Sequence, residues 1–477
     1  MSSKFAHPVG ILMLTATTML ALGGCDQSAP PAEQSLEDLK GQVFTVTLAE
    51  DSPLSGALQL RLSEWEAQTG SEVRFTSDRE SPSELIVLGG TELPTTPNIT
   101  IPEKLAKATQ FPAKYRLVFD RFRDKAVAVP LATDRLLLWY RRDLFENEDL
   151  EATFREQTGK SLAPPETWGD FLTLATFFKN RPEVAYGCVE AMDGSLEANR
   201  NYLARAAAYA KAEKWSSFIV DSETGAPRLT TPGFVRALSE WIAAKSYSPA
   251  ADGTEISDTR ARELFRDGQA AMLLSTLPPT IADGKPRSEQ WDASIAVASL
   301  PGSRTVYAID TGQALPGEKV NRPVHFATTG WYLAQRADQP SDANDRLLGF
   351  LTDPKESAYL VQASRRGILP MEPTLLTEPG RFRGFGLSNR TVGELFELIR
   401  SGFSADNWVA DLRTTRSAEL QSALGQALQE ALAGKSSPEK ALAKAESAWT
   451  ELLKPGLSEF LAEYRASLGL PPLITKE

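Results

Sequence analysis

Between Val129 and Phe145 the chain reads VPLATDRLLLWYRRDLF, two apolar runs separated by a short polar turn. Pro130 has no backbone donor and biases Val129 toward extended geometry. Leu136-Leu137-Leu138-Trp139-Tyr140 is a continuous apolar run, the pattern of a strand covered on both faces, so Trp139 and Tyr140 are assigned to packing. Thr133 and Asp134 stand between the runs with little bulk. The stretch therefore predicts two strands joined by a hinge.

A chain of 477 residues, 42% hydrophobic and 24% charged, has room for two or three domains. Its formal net charge of −11 argues against nucleic acid and against electrostatic docking on anionic lipid.

At the N-terminus, Lys4 and His7 precede an apolar segment, Val9 to Leu22, that is too short for a comfortable membrane span. It ends in Leu22-Gly23-Gly24-Cys25, which resembles a bacterial lipobox. On that reading residues 1–24 are a lipoprotein signal peptide and Cys25 is acylated, holding the mature chain on a membrane. The alternative is an ordinary secretory signal followed by an incidental cysteine. Residues 25–40, rich in Pro, Ser, Ala, Gln and Glu, read as a flexible tether. Cys188 has no partner for a disulfide and is expected to be buried.

From Gly41 the pattern is α/β. Val43, Phe44, Val46 and Leu48 predict a strand, and Leu58, Leu62 and Trp65 the inner face of a helix that Gly70 ends. Ser71 to Phe75 and Leu85 to Leu88 return as strands, which makes a parallel βαβ unit. Ligands collect beyond the carboxyl ends of such strands. The loop carrying Glu50 and Asp51 lies at that edge, where the two acids either meet a ligand or cap the next helix.

Further on, Thr167 predicts the N-cap of a helix with Phe171, Leu174, Ala175 and Phe178 inside. Tyr186 to Val189 predicts a strand, Asn199 to Lys214 a helix, and Phe234, Leu238, Trp241 and Ile242 another amphipathic face. Gly268 to Leu274 and Trp331 to Ala334 predict strands, followed by helices over Ala343 to Leu351 and Lys355 to Val361. Leu420, Leu424, Leu428 and Leu432 share one helix face that Gly434 closes, and Ser437-Pro438 restarts a helix as N-cap and first residue.

The order of VPLATDRLLLWYRRDLF, PPETW, GQAAMLL, the TGWYLA–helix–GILP block and LAGKSSPEKALAKAESAW resembles extracellular solute-binding protein family 1, the maltose-binding-like receptors of ABC importers. The resemblance runs from about Gly41 to Leu453. It implies a periplasmic-binding-protein-like α/β fold of two discontinuous lobes joined by crossing hinge strands, with a ligand cleft between them. Transferred to this chain, lobe one takes 41–130 and 326–370, lobe two 131–325 and 371–455, and 456–477 is a C-terminal extension. It also implies an extracytoplasmic monomer that clamps a small polar solute, by family default a sugar, and hands it to ABC permease subunits without catalysis or cofactor.

The resemblance puts ligand contacts at Asp51, Thr133, Asp134, Ser275, Thr329, Gly330, Trp331 and Arg366. The carboxylates, hydroxyls and guanidinium would bond solute hydroxyls, while Trp331, or alternatively Trp215, would supply a stacking face. Trp331 could equally be a core residue of the return strand, and Arg366 could only neutralise local acids. Two departures bear on the solute. Maltose-type members carry an aromatic platform after the GxxAM run, where this chain has Leu277-Pro278-Pro279, and another on the helix before the C-terminal glycine, where the nearest match is Gln421. A linear glucan is therefore disfavoured, leaving a polyol, a small glycoside or another polar solute.

Two other classes compete. An exported enzyme has little to work with, because His325 is the one histidine after the leader and Cys188 the one cysteine after Cys25. Clustered His/Cys metal ligands are thus removed, and GxSxG, HExxH and GxxxxGK[ST] are lacking. A carboxylate-pair glycoside hydrolase stays open. So does a scaffold lipoprotein that kept the fold and lost its ligand, which would show a polar-poor cleft.

Overall fold

In a computed structural model of the chain, the described residues are 36–473 without 50–51, 53, 109–120, 123–124, 280–287, 327–329, 339, 365–367, 371–374 and 381–385. Cys25, Asp51, Thr329 and Arg366 lie outside them, so the lipid attachment and three expected solute contacts have no structural description.

The first sheet grows from the βαβ unit. Val43–Thr47 pairs in parallel with Glu72–Thr76 and with Leu85–Gly89. The intervening helix Ser55–Thr69 buries Leu58, Leu62 and Trp65, and Gly70 closes it at φ 70°, a left-handed position that favours glycine. Trp331–Arg336 enters antiparallel beside Leu85–Gly89, and Val129–Ala132 and Ile99–Thr100 pair along its other side. The second sheet runs Ile295–Ala298, Leu137–Arg141, Ala270–Ser275, Tyr186–Val189. Its middle strands are buried on both faces, covered by helices that include Trp168–Lys179, Leu196–Ala210 and Asn389–Phe403.

The stretch that predicted a hinge is where the chain passes from one sheet to the other. Val129–Ala132 belongs to the first sheet and Leu137–Arg141 to the second. Leu131 and Ala132 therefore side with the first body, and the passage is Thr133 to Leu136, a few residues past the Pro130 boundary. The chain returns after Val324–Phe326, which pairs in parallel with Trp408–Ala410. A third contact comes from Thr133 and Leu369, whose backbones exchange hydrogen bonds of 2.8 Å each way.

Local signals are well kept. Thr167 and Asp170 form a reciprocal capping box, and Ser437 caps Pro438–Leu453. Leu420, Leu424, Leu428 and Leu432 are all buried in Ser417–Leu432.

Two expectations need correction, and the C-terminal extension gains a description. The tether stops before Leu36–Leu39, a 3₁₀ turn packed on Ser55–Thr69, because Leu39 joins the core. The helix expected over Asn199–Lys214 is Leu196–Ala210: Asn321 Nδ2 donates to the Ala208 and Lys211 carbonyls at 2.9 Å, and Lys211 turns extended. The C-terminal extension is folded, since Leu457–Ser467 buries Phe460 and Tyr464 and the buried Glu463 accepts from the Thr415 backbone.

Candidate functional site

The carboxyl end of Leu85–Gly89 opens into a turn carrying Thr91, Glu92 and Thr95, as the parallel βαβ geometry requires of a binding edge. These residues form one wall of a cavity of about 490 Å³. The opposite wall comes from the other body: Leu196 and Asn199 at the start of one helix, Asp411, and Ser417, Gln421 and Ser422 at the start of another. The size suits a small-molecule cleft.

Close approach of the two helices builds that second wall. A Cβ on Gly425 would stand 2.5 Å from the Gly194 carbonyl, so glycine lets Ser417–Leu432 reach the loop before Leu196. Ser195 caps that helix by accepting from Ala198 N. Asn199 Nδ2 donates to both the Gln421 backbone oxygen, at 2.8 Å, and Gln421 Oε1, at 2.9 Å. Asn199 Oδ1 and Gln421 Nε2 are left without a hydrogen-bond partner among the described residues.

Beneath the wall lies a buried ionic layer. Arg200 Nε donates to Asp411 Oδ2 at 2.6 Å, and both side chains are almost fully enclosed. Burial alone would lower the Arg200 pKa, yet Asp411, Asp134 and Glu197 together hold it above its ordinary value. His325 sits in the same layer, Nε2 3.7 Å from Asp411 Oδ1. Burial, opposed by Asp411 but reinforced by Arg200 and Arg135, pushes its pKa down to about 4. It is therefore neutral near pH 7, and its contact with Asp411 is not an ion pair there.

The structure brings several expected residues to this crossing. Thr133 and Asp134 are both buried in it, and Asp134 contributes to the field at Arg200. Gly330 accepts from Gly90 N at 2.9 Å, and a Cβ on it would lie 2.9 Å from the Ala132 carbonyl. Trp331, half-buried, pairs with Gly89 on one side and Ala132 on the other. Ser275 is buried at the end of its strand, its Oγ accepting from Leu277 N, while Thr276 O accepts from Arg135 N. None of these, nor Trp215, is among the described residues that line the cavity; Trp215 follows Ala210, the end of the helix roughly 17 Å from Asn199.

Asn199, Arg200, Asp411, Thr91 and Glu92 were not singled out from the sequence. One signal was there. The helix Leu196–Ala210 has six alanines among its fifteen residues, with Tyr202, Leu203 and Tyr209 besides, which marks a largely buried helix whose Asn and Arg side chains must find partners inside. Among the described residues no group of three His, Cys, Asp or Glu could hold a metal ion, and no helix is long and apolar enough to cross a membrane.

Two α/β bodies joined by crossing strands, with a cavity walled by residues of both, define the class of two-lobed solute receptors. The sequence profile of the bacterial extracellular solute-binding proteins matches residues 94–342, just over half of the chain, and the chain belongs to that family. No curated protein matches it. Solved structures share its fold. Maltose-bound MalE3 of T. maritima is 18% identical with a TM-score of 0.65, covering 87% of this chain and 100% of its own. A solute-binding protein of Agrobacterium radiobacter K84 in complex with ribitol is 18% identical with a TM-score of 0.61, covering 87% and 99%. The sugar-binding protein MalE of Xanthomonas citri is 15% identical with a TM-score of 0.61, covering 88% and 99%.

Proposed function

We propose that this solute-binding protein is a lipid-anchored, extracytoplasmic receptor of an ABC importer, monomeric, which captures a sugar-like polar solute between its lobes. The observation that carries this reading is the cavity walled by Thr91, Glu92 and Thr95 from one body and by Asn199, Asp411 and Gln421 from the other. A solute touching both walls stabilises the closed arrangement, and a permease can recognise that shape. The leader ending at Cys25 supports attachment by acyl chains.

Nothing in this mechanism requires a bond of the solute to break. A carboxylate-pair hydrolase needs one acid that holds a proton and one that does not. Of the cavity's acids, Glu92 is paired with Arg79 at 2.6 Å and Asp411 with Arg200 at 2.6 Å, so each is already engaged within the protein. The scaffold reading calls for a polar-poor cleft; this one carries amides and hydroxyls within a mostly apolar surface, so solute binding decides between the two readings.

Thermal unfolding of the full mature chain, in detergent, against sugars and polyols tests the receptor reading. A solute at one hundred times its Kd adds about 2.7 kcal/mol of apparent stability. A flat melting temperature across the panel would favour the scaffold. Metabolic labelling with a fatty acid, retained by the wild type and lost in Cys25→Ser, tests the anchor.

A further inference from the structure

We infer that Glu463, on the C-terminal helix, is a positioning residue for the solute cleft: it holds from behind the segment 411–417, whose front lines the cavity. This rests on the cleft being the solute site.

The helix Leu457–Ser467 lies beyond Leu453, where the family resemblance stops. Leu457, Phe460, Leu461 and Tyr464 recur at i, i+3, i+4 and i+7, one apolar face, and the last three are buried. That face is docked on the second body. Leu457 Cδ1 lies 2.5 Å from where a Cβ on Gly225 would stand, and Arg465 Nη1 donates to the Ser222 carbonyl at 2.7 Å. Glu463 adjoins the same face and is only 2% exposed. A carboxylate so enclosed needs donors. It finds two on one residue: Glu463 Oε2 accepts from Thr415 N at 2.8 Å and from Thr415 Oγ1 at 3.0 Å.

The wall is one strand of chain thick at this place. Asp411, Leu412, Thr414, Ser417 and Ala418 line the cavity, whereas Thr415 and Arg416 are not among its described lining residues. Within the turn, Ser417 Oγ accepts from Thr414 N and donates to the Leu412 carbonyl, each at 2.9 Å. Those bonds are local. The segment is fastened to other elements by Arg200 at Asp411 and by Glu463 at Thr415. The helix Ser417–Leu432 that follows begins at Arg416, whose side chain makes no capping bond. Glu463 supplies from outside what that start lacks, an acceptor for a backbone N–H and a negative charge near the positive end of the helix. Without it Thr415 is released, and Thr414 and Ser417 on either side of it move with the wall.

Hydrogen exchange, and isothermal titration with ribitol, glucose and maltose, of the full mature chain and of Glu463→Met, Glu463→Gln and Arg465→Met test this. In Glu463→Met the amides of 411–417 should exchange at least tenfold faster, and the Kd of a solute that binds the wild type should rise at least fivefold. Lower global stability alone leaves the Kd of a chain that stays folded unchanged, so affinity reports the position of the wall. Glu463→Gln keeps an oxygen for both Thr415 donors and should stay within threefold of the wild type. Arg465→Met frees the same helix from Ser222 instead and should leave the Kd unchanged. Should Glu463→Met fail to fold, Thr415→Val, which removes the hydroxyl end of the same contact, should raise the Kd at least threefold. Wild-type exchange at Thr415 or wild-type affinity in a folded Glu463→Met, equal weakening by Arg465→Met, or a Glu463→Gln as weak as Glu463→Met overturns the inference and leaves the receptor reading standing. A wild type that binds none of these solutes and none of the wider sugar and polyol panel overturns both.

Discussion

Arg200 and Asp411 form a buried ion pair between a helix and a loop 211 residues apart in sequence, with side chains 1% and 2% exposed. The pair ties Leu196–Ala210 to the segment after Trp408–Ala410, so the two sources of the cleft's second wall are joined beneath it. Desolvating both charges consumes much of their attraction, but leaving either one alone is worse. Arg200→Met should destabilise the protein by about 3–5 kcal/mol in denaturant unfolding. Adding Asp411→Leu should recover a large part of that loss. A single substitution within 1 kcal/mol of wild type would show that the charge finds water instead.

The elements around this pair were largely legible, and the pair itself was not. Leu58, Leu62 and Trp65 announce a helix by spacing, and Leu136 to Tyr140 a covered strand by continuity, because each is settled by the burial of a local face. The passage at Thr133 was readable for the same reason, two apolar runs being divided by polar residues. The cleft is a different kind of object. Asn199 meets Gln421, and Arg200 meets Asp411, only after the chain has crossed between the bodies and come back. Thr91 and Glu92 reach the opposite wall by the relative placement of the two bodies. No period within a window of fifteen residues carries that information, and in a helix polar residues read by default as a solvated face. The departure at Gln421 from the aromatic pattern was visible, but its partner was not.

His325 predicts a definite pH dependence. Its folded pKa, pushed down to about 4 chiefly by burial, lies below the ordinary value of 6.5. As pH falls, the unfolded chain takes up the proton first. The contribution is therefore complete above about pH 6.5 and is lost progressively from there to about pH 4, up to about 3 kcal/mol in all. His325→Gln, uncharged throughout, should flatten the stability profile across that window. Comparing slopes rather than absolute values separates the titration from any packing change and from carboxylates common to both chains.

Two glycines on helices should respond in opposite directions to the same substitution. Alanine at Gly393, in Asn389–Phe403, meets nothing within 4 Å, so its greater helix propensity should stabilise the protein by about 0.5–1 kcal/mol. Alanine at Gly425 would stand 2.5 Å from the Gly194 carbonyl and 3.3 Å from Asn199 Oδ1, and a backbone oxygen cannot swing aside. Gly425→Ala should lower the melting temperature despite the better propensity. It should also weaken solute binding, because the shift that relieves the clash moves the helix that carries Ser417, Gln421 and Ser422 of the cavity wall. Equal melting temperatures for the two variants would refute the close approach.

Cys188 supplies a reporter of how the second body opens. Its thiol is fully enclosed, with Sγ 3.8 Å from the Ala244 carbonyl, and burial drives its pKa far above the ordinary range. Only a thiolate attacks a disulfide reagent, so the native state is doubly protected, by access and by protonation. The sequence holds two cysteines, which makes Cys188 the sole thiol in a Cys25→Ser chain. That chain should react with an aromatic disulfide reagent only through opening of the helix and strand around it, at a rate that rises with denaturant along the global unfolding curve. A solute that binds the cleft should slow the reaction by the factor 1 + [L]/Kd, since only the closed, folded form holds it. Rapid labelling in the absence of denaturant would mean that Tyr186–Val189 opens independently, and the second body could no longer be treated as stiff.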